Sequence, residues 1–210
     1  MIATIPASAV LKNRPWRTGV AGTIWNGEVG VAGGAKLEWR MAPLRSLTSL
    51  AYAADWKATG PNTDLGGQLL VHPGGRTILD KVSGSADGTL LQALQPNLPF
   101  TCDLTMQVEM DRVAVGGGAR MLSGSAISDP GSCRPKTAGA ATAVPALILT
   151  AEHIGTQTQI RIAPTGQRRK TLVNLNLSED GTVDLGVTPD GAAMLPFIGL
   201  PAGARIQGGM

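Results

Sequence analysis

Apolar and polar residues alternate with a period of two along much of the chain, in segments that end at Gly, Pro-Gly or Asn-Gly positions. Because successive side chains of a β-strand point to opposite faces, this pattern predicts strands with one buried and one exposed face. The clearest segment is 100–115, which predicts one continuous strand with an apolar face made of Cys102, Leu104, Met106, Val108 and Met110. Helical periodicity is nearly absent, so the pattern favours an antiparallel sheet.

The N-terminal part predicts a hairpin followed by a third strand. Residues 19–25 run into Asn26-Gly27, a strong two-residue turn signal, and 28–31 lead away from it. In 35–40, Leu37 and Trp39 share one face of a strand. Further strands are predicted at 51–60, 64–72, 78–88, 119–127, 145–152, 157–163, 171–177 and 182–187. The predicted fold is therefore mainly β, a curved antiparallel sheet built as a meander of about ten to twelve strands.

Two or three short helices are expected to interrupt this sheet. Residues 43–50 open with Pro43 and space their leucines three apart, which indicates one or two helical turns. Residues 89–94 predict a second short helix, capped by Thr89 or Asp87. Residues 129–135 predict a loop, and 136–144 are small and poorly patterned. If the chain has a lobe boundary, we expect it near 134–144.

The amino-acid composition argues against several classes of protein. Charged residues make up only 16% of the chain and apolar residues 43%, which argues against an all-helical protein. With four Trp, two Phe and one Tyr, a ladder of rings that stack on nucleic-acid bases is hard to assemble, so no nucleic-acid partner is expected. The net charge is +3, and basic and acidic residues are interspersed along the chain. The basic run 168–170 follows a turn, and we interpret it as a solvated hairpin tip rather than as a site that contacts phosphate.

Residues with reactive side chains form no recognisable catalytic or metal-binding motif. His72 and His153 lie far apart without the spacing of metal ligands, and the sequence lacks a nucleophile elbow and a phosphate-binding loop. We therefore expect no catalytic residue, no metal site, no cofactor and no enzymatic activity. Cys102 and Cys133 are either one disulfide or two buried thiols. Trp25 and Trp39 are expected to pack on the same apolar face.

No segment of the sequence reaches the roughly 20 apolar residues that cross a bilayer as a helix. The start of the chain, residues 1–11, is apolar but short, and Pro6 interrupts it. It also lacks the positive charge that opens a signal peptide. It is compatible with the tail of a longer membrane segment.

Two glycine- and tryptophan-containing segments near the N-terminus carry a family resemblance. The first holds Gly19, Gly22, Thr23, Trp25 and Gly27, and the second holds Leu37, Trp39, Pro43 and Leu44. Their order resembles that of the type II secretion system protein N family, the general secretion pathway N component of bacterial inner membranes. The clear resemblance covers roughly residues 16–110, and none of its motif residues is a catalytic signature.

The resemblance implies a periplasmic β-rich domain, residues 16–210, in an inner-membrane-anchored protein. Residues 1–15 would then be the remnant of that anchor, or simply the start of the chain. Family members are non-enzymatic accessory parts thought to connect the inner-membrane platform with the outer-membrane secretin, so these components are the expected partners. The resemblance also places the chain in an oxidising compartment, where Cys102 and Cys133 are expected to form a disulfide.

Two alternatives remain beside the secretion role. The family is similar to periplasmic proteins in which a long β-sheet groove holds lipid, so a lipid-binding or lipid-conducting groove is the second expectation. A hydrolase of periplasmic glycan would need two carboxylates that converge in a cleft, which a sequence does not show.

Overall fold

A computed structural model describes residues 5–10, 17–31, 34–94, 96–117, 120–137 and 139–209. Most of the expected anchor remnant, 1–4 and 11–15, lies outside the described residues, as does Trp16. None of the helices in these ranges combines the length and apolar character needed to cross a membrane.

The described residues form sixteen strands and a few short helices. The strands of the first half are β1 (Arg17–Gly22), β2 (Asn26–Val31), β3 (Ala35–Met41), β4 (Tyr52–Gly60), β5 (Thr63–Val71), β6 (Thr77–Asp87), β7 (Phe100–Asp103) and β8 (Thr105–Val115). Those of the second half are β9 (Met121–Ser128), β10 (Gly131–Pro135), β11 (Thr142–Val144), β12 (Leu147–Ile154), β13 (Gln157–Pro164), β14 (Val173–Ser178), β15 (Thr182–Val187) and β16 (Arg205–Gly209). The helices are α1 (Ala7–Val10), α2 (Pro43–Ser49), α3 (Gly88–Leu94) and α4 (Pro189–Met194), with single 3₁₀ turns at Thr165–Gln167 and Pro196–Ile198.

Thirteen of the strands make one open antiparallel sheet in the order β1-β2-β3-β4-β5-β6-β8-β9-β12-β13-β14-β15-β16. Each neighbour in space is the next main-sheet strand along the chain, so the predicted meander is confirmed, with more strands than expected. The chain leaves the meander twice, and the strands formed there, β7, β10 and β11, pair as a second antiparallel sheet in the order β11-β10-β7. The range 134–144, where a lobe boundary was considered, holds the end of β10 and all of β11.

The prediction of one strand over 100–115 is wrong. The segment divides at Leu104: β7 pairs with β10 in the small sheet, whereas β8 pairs with β6 and β9 in the main sheet. The carbonyl of Leu104 accepts a hydrogen bond of 3.0 Å from the backbone N–H of Gly88, where α3 begins. Because the alternation of polar and apolar residues continues through Leu104, the sequence carries no sign of the change of sheet.

The first hairpin turns three residues earlier than the Asn26-Gly27 signal predicts. Gly22 and Gly27 are paired, so Asn26 and Gly27 already belong to β2 and the turn is Thr23–Trp25. Gly22 has a φ of +86°, which glycine adopts without steric cost. The Thr23 hydroxyl oxygen accepts the N–H groups of Trp25 and Asn26, each at 3.3 Å. These local bonds favour the longer turn over the two-residue one.

The expected loop at 129–135 is also wrong, because most of it is β10. Cys133 of β10 lies directly opposite Cys102 of β7, and Gly131 lies opposite Val144 of β11. The small polar and proline residues of this segment resemble a loop, and its pairing with two distant strands makes it a strand.

Some of the buried residues form two apolar clusters. The N-terminal cluster centres on strands β2 to β6 and α3, and its members are Val31, Ala35, Ala58, Leu65, Val82, Ala86 and Leu90. The C-terminal cluster lies where the small sheet and the C-terminal helical turns meet β13 and β14, and its members are Cys133, Val144, Leu172, Val173, Leu195 and Phe197. The sheet is therefore covered in two separate places rather than by one continuous core.

Candidate functional site

The N-terminal motif residues build one corner of the sheet. Trp39 of β3 lies directly opposite Gly27 of β2, and a Cβ atom on Gly27 would overlap the outer edge of the Trp39 ring. The indole Nε1 of Trp39 donates a hydrogen bond of 3.3 Å to the carbonyl of Ile24, in the turn between β1 and β2. The Tyr52 hydroxyl of β4 donates to the same carbonyl. The ring of Trp39 thereby fixes the turn to the third strand, and Gly27 provides the space for it.

A second tryptophan repeats this arrangement one strand further on. Trp56 of β4 lies directly opposite Trp39 on one side and Gly67 of β5 on the other. A Cβ atom on Gly67 would lie 3.2 Å from the Trp56 ring, tighter than an ordinary contact. Each ring therefore lies beside a glycine of a neighbouring strand, Trp39 beside one on β2 and Trp56 beside one on β5. Trp25 lies in the β1–β2 turn and its carbonyl accepts the N–H of Met41 at 2.7 Å. The expected packing of Trp25 with Trp39 stays a prediction.

The remaining motif residues differ in what they contact. Leu37 packs against the N-terminal cluster. Pro43 begins α2, where a missing N–H costs nothing. Gly19 has open space around its Cβ position, and Leu44 is 81% exposed. The motif thus combines residues that shape the corner with one leucine that nothing in the described chain covers.

Register places apolar residues in rows that run across the main sheet. One row, on a single face, crosses twelve strands from β1 to β15 and consists of Val20, Val29, Leu37, Ala58, Leu65, Gly84, Val108, Ala126, Leu149, Ile162, Val173 and Val187. We call the face that carries it the apolar face. Alternation along each strand is preserved from one strand to the next, so the sheet has one continuous apolar side.

A neighbouring row on the apolar face is only partly covered. It runs from β6 to β16 through Val82, Met110, Gly124, Ala151, Ile160, Leu175, Leu185 and Ile206. Val82 is a member of the N-terminal cluster and Met110 packs against it, whereas Leu185 packs against the C-terminal cluster. Ile160 and Leu175 are half-buried, and Ile206 is 46% exposed. This row therefore keeps an apolar strip on β13, β14 and β16 that is accessible to solvent.

The opposite face of the sheet is polar and carries ion pairs. Lys36 lies 2.8 Å from Glu28 and 2.7 Å from Glu38, and hydrogen bonds to both carboxylates raise the pKa of Lys36. The hydrogen bond from Lys36 in turn lowers the pKa of Glu38. All three side chains are about half-exposed, so we interpret these ion pairs as ordinary surface charges rather than as a reactive site.

The polar face also has a depression of about 690 Å³ over β13 to β16, lined by Gln159, Arg161, Asn174, Asn176 and Arg205 among others. Arg161 is already engaged, because its Nε donates to the Thr171 hydroxyl at 2.6 Å and its Nη2 to the carbonyl of Arg169 at 3.2 Å. Arg169 belongs to the basic run 168–170, which lies between β13 and β14 as expected for a connection, and Lys170 of that run pairs with Asp190 at 3.0 Å.

The two histidines lie apart, in different parts of the sheet. Nδ1 of His153 is hydrogen-bonded at 3.0 Å to the hydroxyl of Thr158, which also accepts the backbone N–H of Leu122 at 3.3 Å. His72 lies in the connection between β5 and β6. Within the described ranges, no three His, Cys, Asp or Glu side chains are grouped as ligands of a metal ion.

Cys102 and Cys133 form a disulfide, as the sequence resemblance implied. The two residues are directly opposite on β7 and β10, with Cα atoms 4.1 Å apart. Cys133 is 2% exposed, and beside the bond Phe100 meets Phe197 edge to face with ring centroids 5.0 Å apart. The disulfide therefore joins two strands of the small sheet, and Cys133 at one end of it is part of the C-terminal cluster.

Comparison with known proteins identifies no relative of this chain: no family model matches it, and searches of curated proteins and of solved structures found no match. The resemblance to the secretion family thus rests on the N-terminal motif residues.

Proposed function

We propose that this chain is a non-enzymatic accessory component of the bacterial type II protein secretion machinery, acting in the periplasm between the inner-membrane platform and the outer-membrane secretin. The observation that carries the proposal is the corner made by Gly22, Thr23, Gly27 and Trp39. These motif residues form one structural unit, in which each has a defined contact or backbone role. The motif therefore describes a folded element, as expected of a family signature.

The shape of the main sheet supports a linking role. Adjacent strands of a sheet lie about 4.8 Å apart, so thirteen strands span roughly 60 Å from one edge to the other. In the described part of the chain, β1 and β16 each pair with a single neighbour, on the inner side. An edge strand offers backbone N–H and C=O groups to a strand of another protein. The two edges give the chain separate attachment sites for two partners.

The disulfide supports the periplasmic location. Such bonds persist in oxidising compartments and are rare in reducing ones. Under the proposal, the domain is held at the inner membrane by an anchor at its N-terminal side, and its partners are the platform proteins and the secretin.

Photo-cross-linking in the native bacterium tests this role. A photoreactive amino acid at Gln207, exposed on edge strand β16, is expected to cross-link to the secretin or to a platform protein. The matched control is the same amino acid at Asn176 of β14, which has strands on both sides. Deletion of the gene is expected to reduce secretion of folded proteins across the outer membrane. Normal secretion after deletion would contradict the proposal.

The second candidate function is the binding or conduction of lipid, and the partly covered strip on the apolar face favours it. Ile160, Leu175 and Ile206 lie in one row, with Leu185 between the last two, and they keep part of their apolar surface accessible. Acyl chains would remove that surface from water, at about 25 cal/mol per Å² buried.

Displacement of a fluorescent fatty acid tests lipid binding. The wild-type chain is expected to bind the probe, and the double variant Ile160→Asp with Leu175→Asp to lose most of that binding. The control is Ile127→Asp, which changes a 40% exposed isoleucine on the polar face. Equal binding by wild type and the double variant would reject the apolar strip as the lipid site. Loss of secretion in the deletion strain would still support the secretion role, because that test is independent of lipid binding.

A further inference from the structure

Helix α2 displays three exposed leucines. Leu44 is 81% exposed, Leu47 is 73% exposed and Leu50, which ends the helix, is 80% exposed. Leu44 and Leu47, three residues apart, lie on one side of the helix, and Leu50 follows at its C-terminal end. We call these three exposed side chains the leucine stripe. Pro43 and the left-handed conformation of Leu50 fix both ends of this short helix, so the stripe has a defined orientation.

The leucine stripe belongs to one end of the main sheet. Because neighbouring strands are antiparallel, the connections β1–β2, β3–β4, β5–β6 and β8–β9 all emerge at this end. Two contacts show that these connections lie close together. The backbone N–H of Met41, at the end of β3, donates to the carbonyl of Trp25 in the β1–β2 turn at 2.7 Å, and Tyr52 at the start of β4 lies opposite Val71 at the end of β5. Other exposed apolar residues at the same end are Ile5 at 40%, Val115 at 52% and Ile154 at 57%. Among the residues that the structure describes, nine large hydrophobic side chains are exposed, and six of them are at the end that carries α2.

The connections near α2 carry basic residues. The connections 23–25, 42–51, 72–76 and 116–120 contain Arg45, Arg76 and Arg120 together with His72, and no acidic residue. Arg45 is paired with Asp55 of β4 at 2.9 Å. Among the connections at this end, the β14–β15 turn contains acidic residues, Glu179 and Asp180, and it lies many strands away from α2. The leucine stripe is thus flanked by arginine-bearing turns.

We propose that the leucine stripe rests on the surface of an anionic phospholipid bilayer. Leucines on an amphipathic segment enter the boundary between headgroups and acyl chains, while nearby Arg side chains attract anionic headgroups. The clustering of apolar tips on successive connections, beside positive charge, suits a surface of this chemistry. This inference rests on α2 and the neighbouring turns and does not depend on the secretion role.

Flotation with lipid vesicles tests the proposal. Purified chain is mixed with vesicles of phosphatidylglycerol and phosphatidylethanolamine, or of phosphatidylcholine alone, at physiological salt. We expect the chain to float with the anionic vesicles and less with the neutral ones. The triple variant Leu44→Ser, Leu47→Ser and Leu50→Ser is expected to lose binding by about tenfold or more, because each leucine would lose its burial in the membrane. All three side chains are exposed, so the variant is expected to fold, which circular dichroism and thermal unfolding check.

The matched control changes two exposed apolar residues elsewhere: Leu91→Ser and Ile127→Ser, at 37% and 40% exposure. This variant is expected to bind vesicles like wild type. The charge-reversal variant Arg76→Glu is expected to weaken binding to anionic vesicles only. Absence of binding to anionic vesicles, or equal loss in the stripe variant and the control variant, would overturn the proposal. So would a dimer that the stripe variant alone disrupts, since a second copy would then cover the leucines.

Discussion

The ring of Trp39 lies against the backbone of Gly27, the residue directly opposite it on the neighbouring strand. A methyl group on Gly27 would overlap the ring and would also lie 2.8 Å from the carbonyl oxygen of Ala21. Since Trp39 is held by its hydrogen bond to Ile24, the ring cannot turn away without loosening the first turn. A glycine and a tryptophan twelve residues apart are thus parts of one contact.

This contact makes Gly27→Ala destabilising. The added methyl group must displace the ring or the strand, and overpacking of this kind costs about 1 to 3 kcal/mol. Urea unfolding measures the change. The matched control is Gly19→Ala, in the same hairpin, where a Cβ atom meets nothing within 4 Å. Equal stability of the two alanine variants would show that the Trp39 contact does not constrain Gly27.

Removal of the disulfide is expected to destabilise the chain. The bond joins residues 31 positions apart, and the chain-entropy model gives about 3 to 4 kcal/mol for a loop of this length. The double variant Cys102→Ala with Cys133→Ala should therefore unfold at lower urea concentration. Wild-type protein under reducing conditions serves as the comparison and should approach the variant. A variant as stable as the oxidised wild type would show that the small sheet holds its position without the bond.

Asp87 links stability to pH through helix α3. Burial alone would raise its pKa, but hydrogen bonds from the Thr89 hydroxyl at 2.7 Å and the Leu90 N–H at 3.1 Å outweigh that effect and leave the pKa lowered. A lowered folded-state pKa contributes stability that is present above the unfolded value and is lost as pH falls through the folded value. We expect Asp87→Asn to cost about 0.5 kcal/mol at pH 7, because Asn can still cap the helix but lacks the negative charge that the helix N-terminus favours.

The difference between Asp87→Asn and wild type should shrink below pH 4, as Asp87 becomes protonated in the wild type. Urea unfolding at several pH values from 7 to 3 measures it. Asp190→Asn is the control, because Asp190 lies in the first turn of α4 but does not cap it; the hydroxyl of Thr188 does. A constant difference across this range would contradict the capping role of the Asp87 carboxylate.

Asp80 and Arg112 are expected to couple weakly. They lie opposite each other on β6 and β8, with Nε 2.7 Å from Oδ1 and Nη2 3.3 Å from Oδ2. The Arg112 side chain is 49% exposed, so solvent screens the pair despite its two-fold hydrogen bonding. A double-mutant cycle with Asp80→Asn and Arg112→Gln should give a coupling of about 0.5 to 1 kcal/mol that falls with added salt. A salt-independent coupling would contradict this account.

The sequence predicted most individual elements because their information is local. Alternation placed β3 to β6 and β12 to β15 within a few residues, and Pro43 with its leucines placed α2. The alternation also predicted which side chains share a face, such as Leu37 with Trp39. The segment 100–115 shows the limit, since one uninterrupted pattern serves two sheets that part at Leu104.

Period-two alternation and turn residues act between near neighbours, so the strands, their meander order and the apolar side of single strands could be predicted from the sequence. Long-range contacts set the register that aligns Leu37, Val108 and Val173 in one row, the pairing that makes a strand of 131–135, and the exposure of the leucine stripe. Each of these depends on which distant residues meet, and leucines spaced for a helix look the same in sequence whether a core covers them or solvent does.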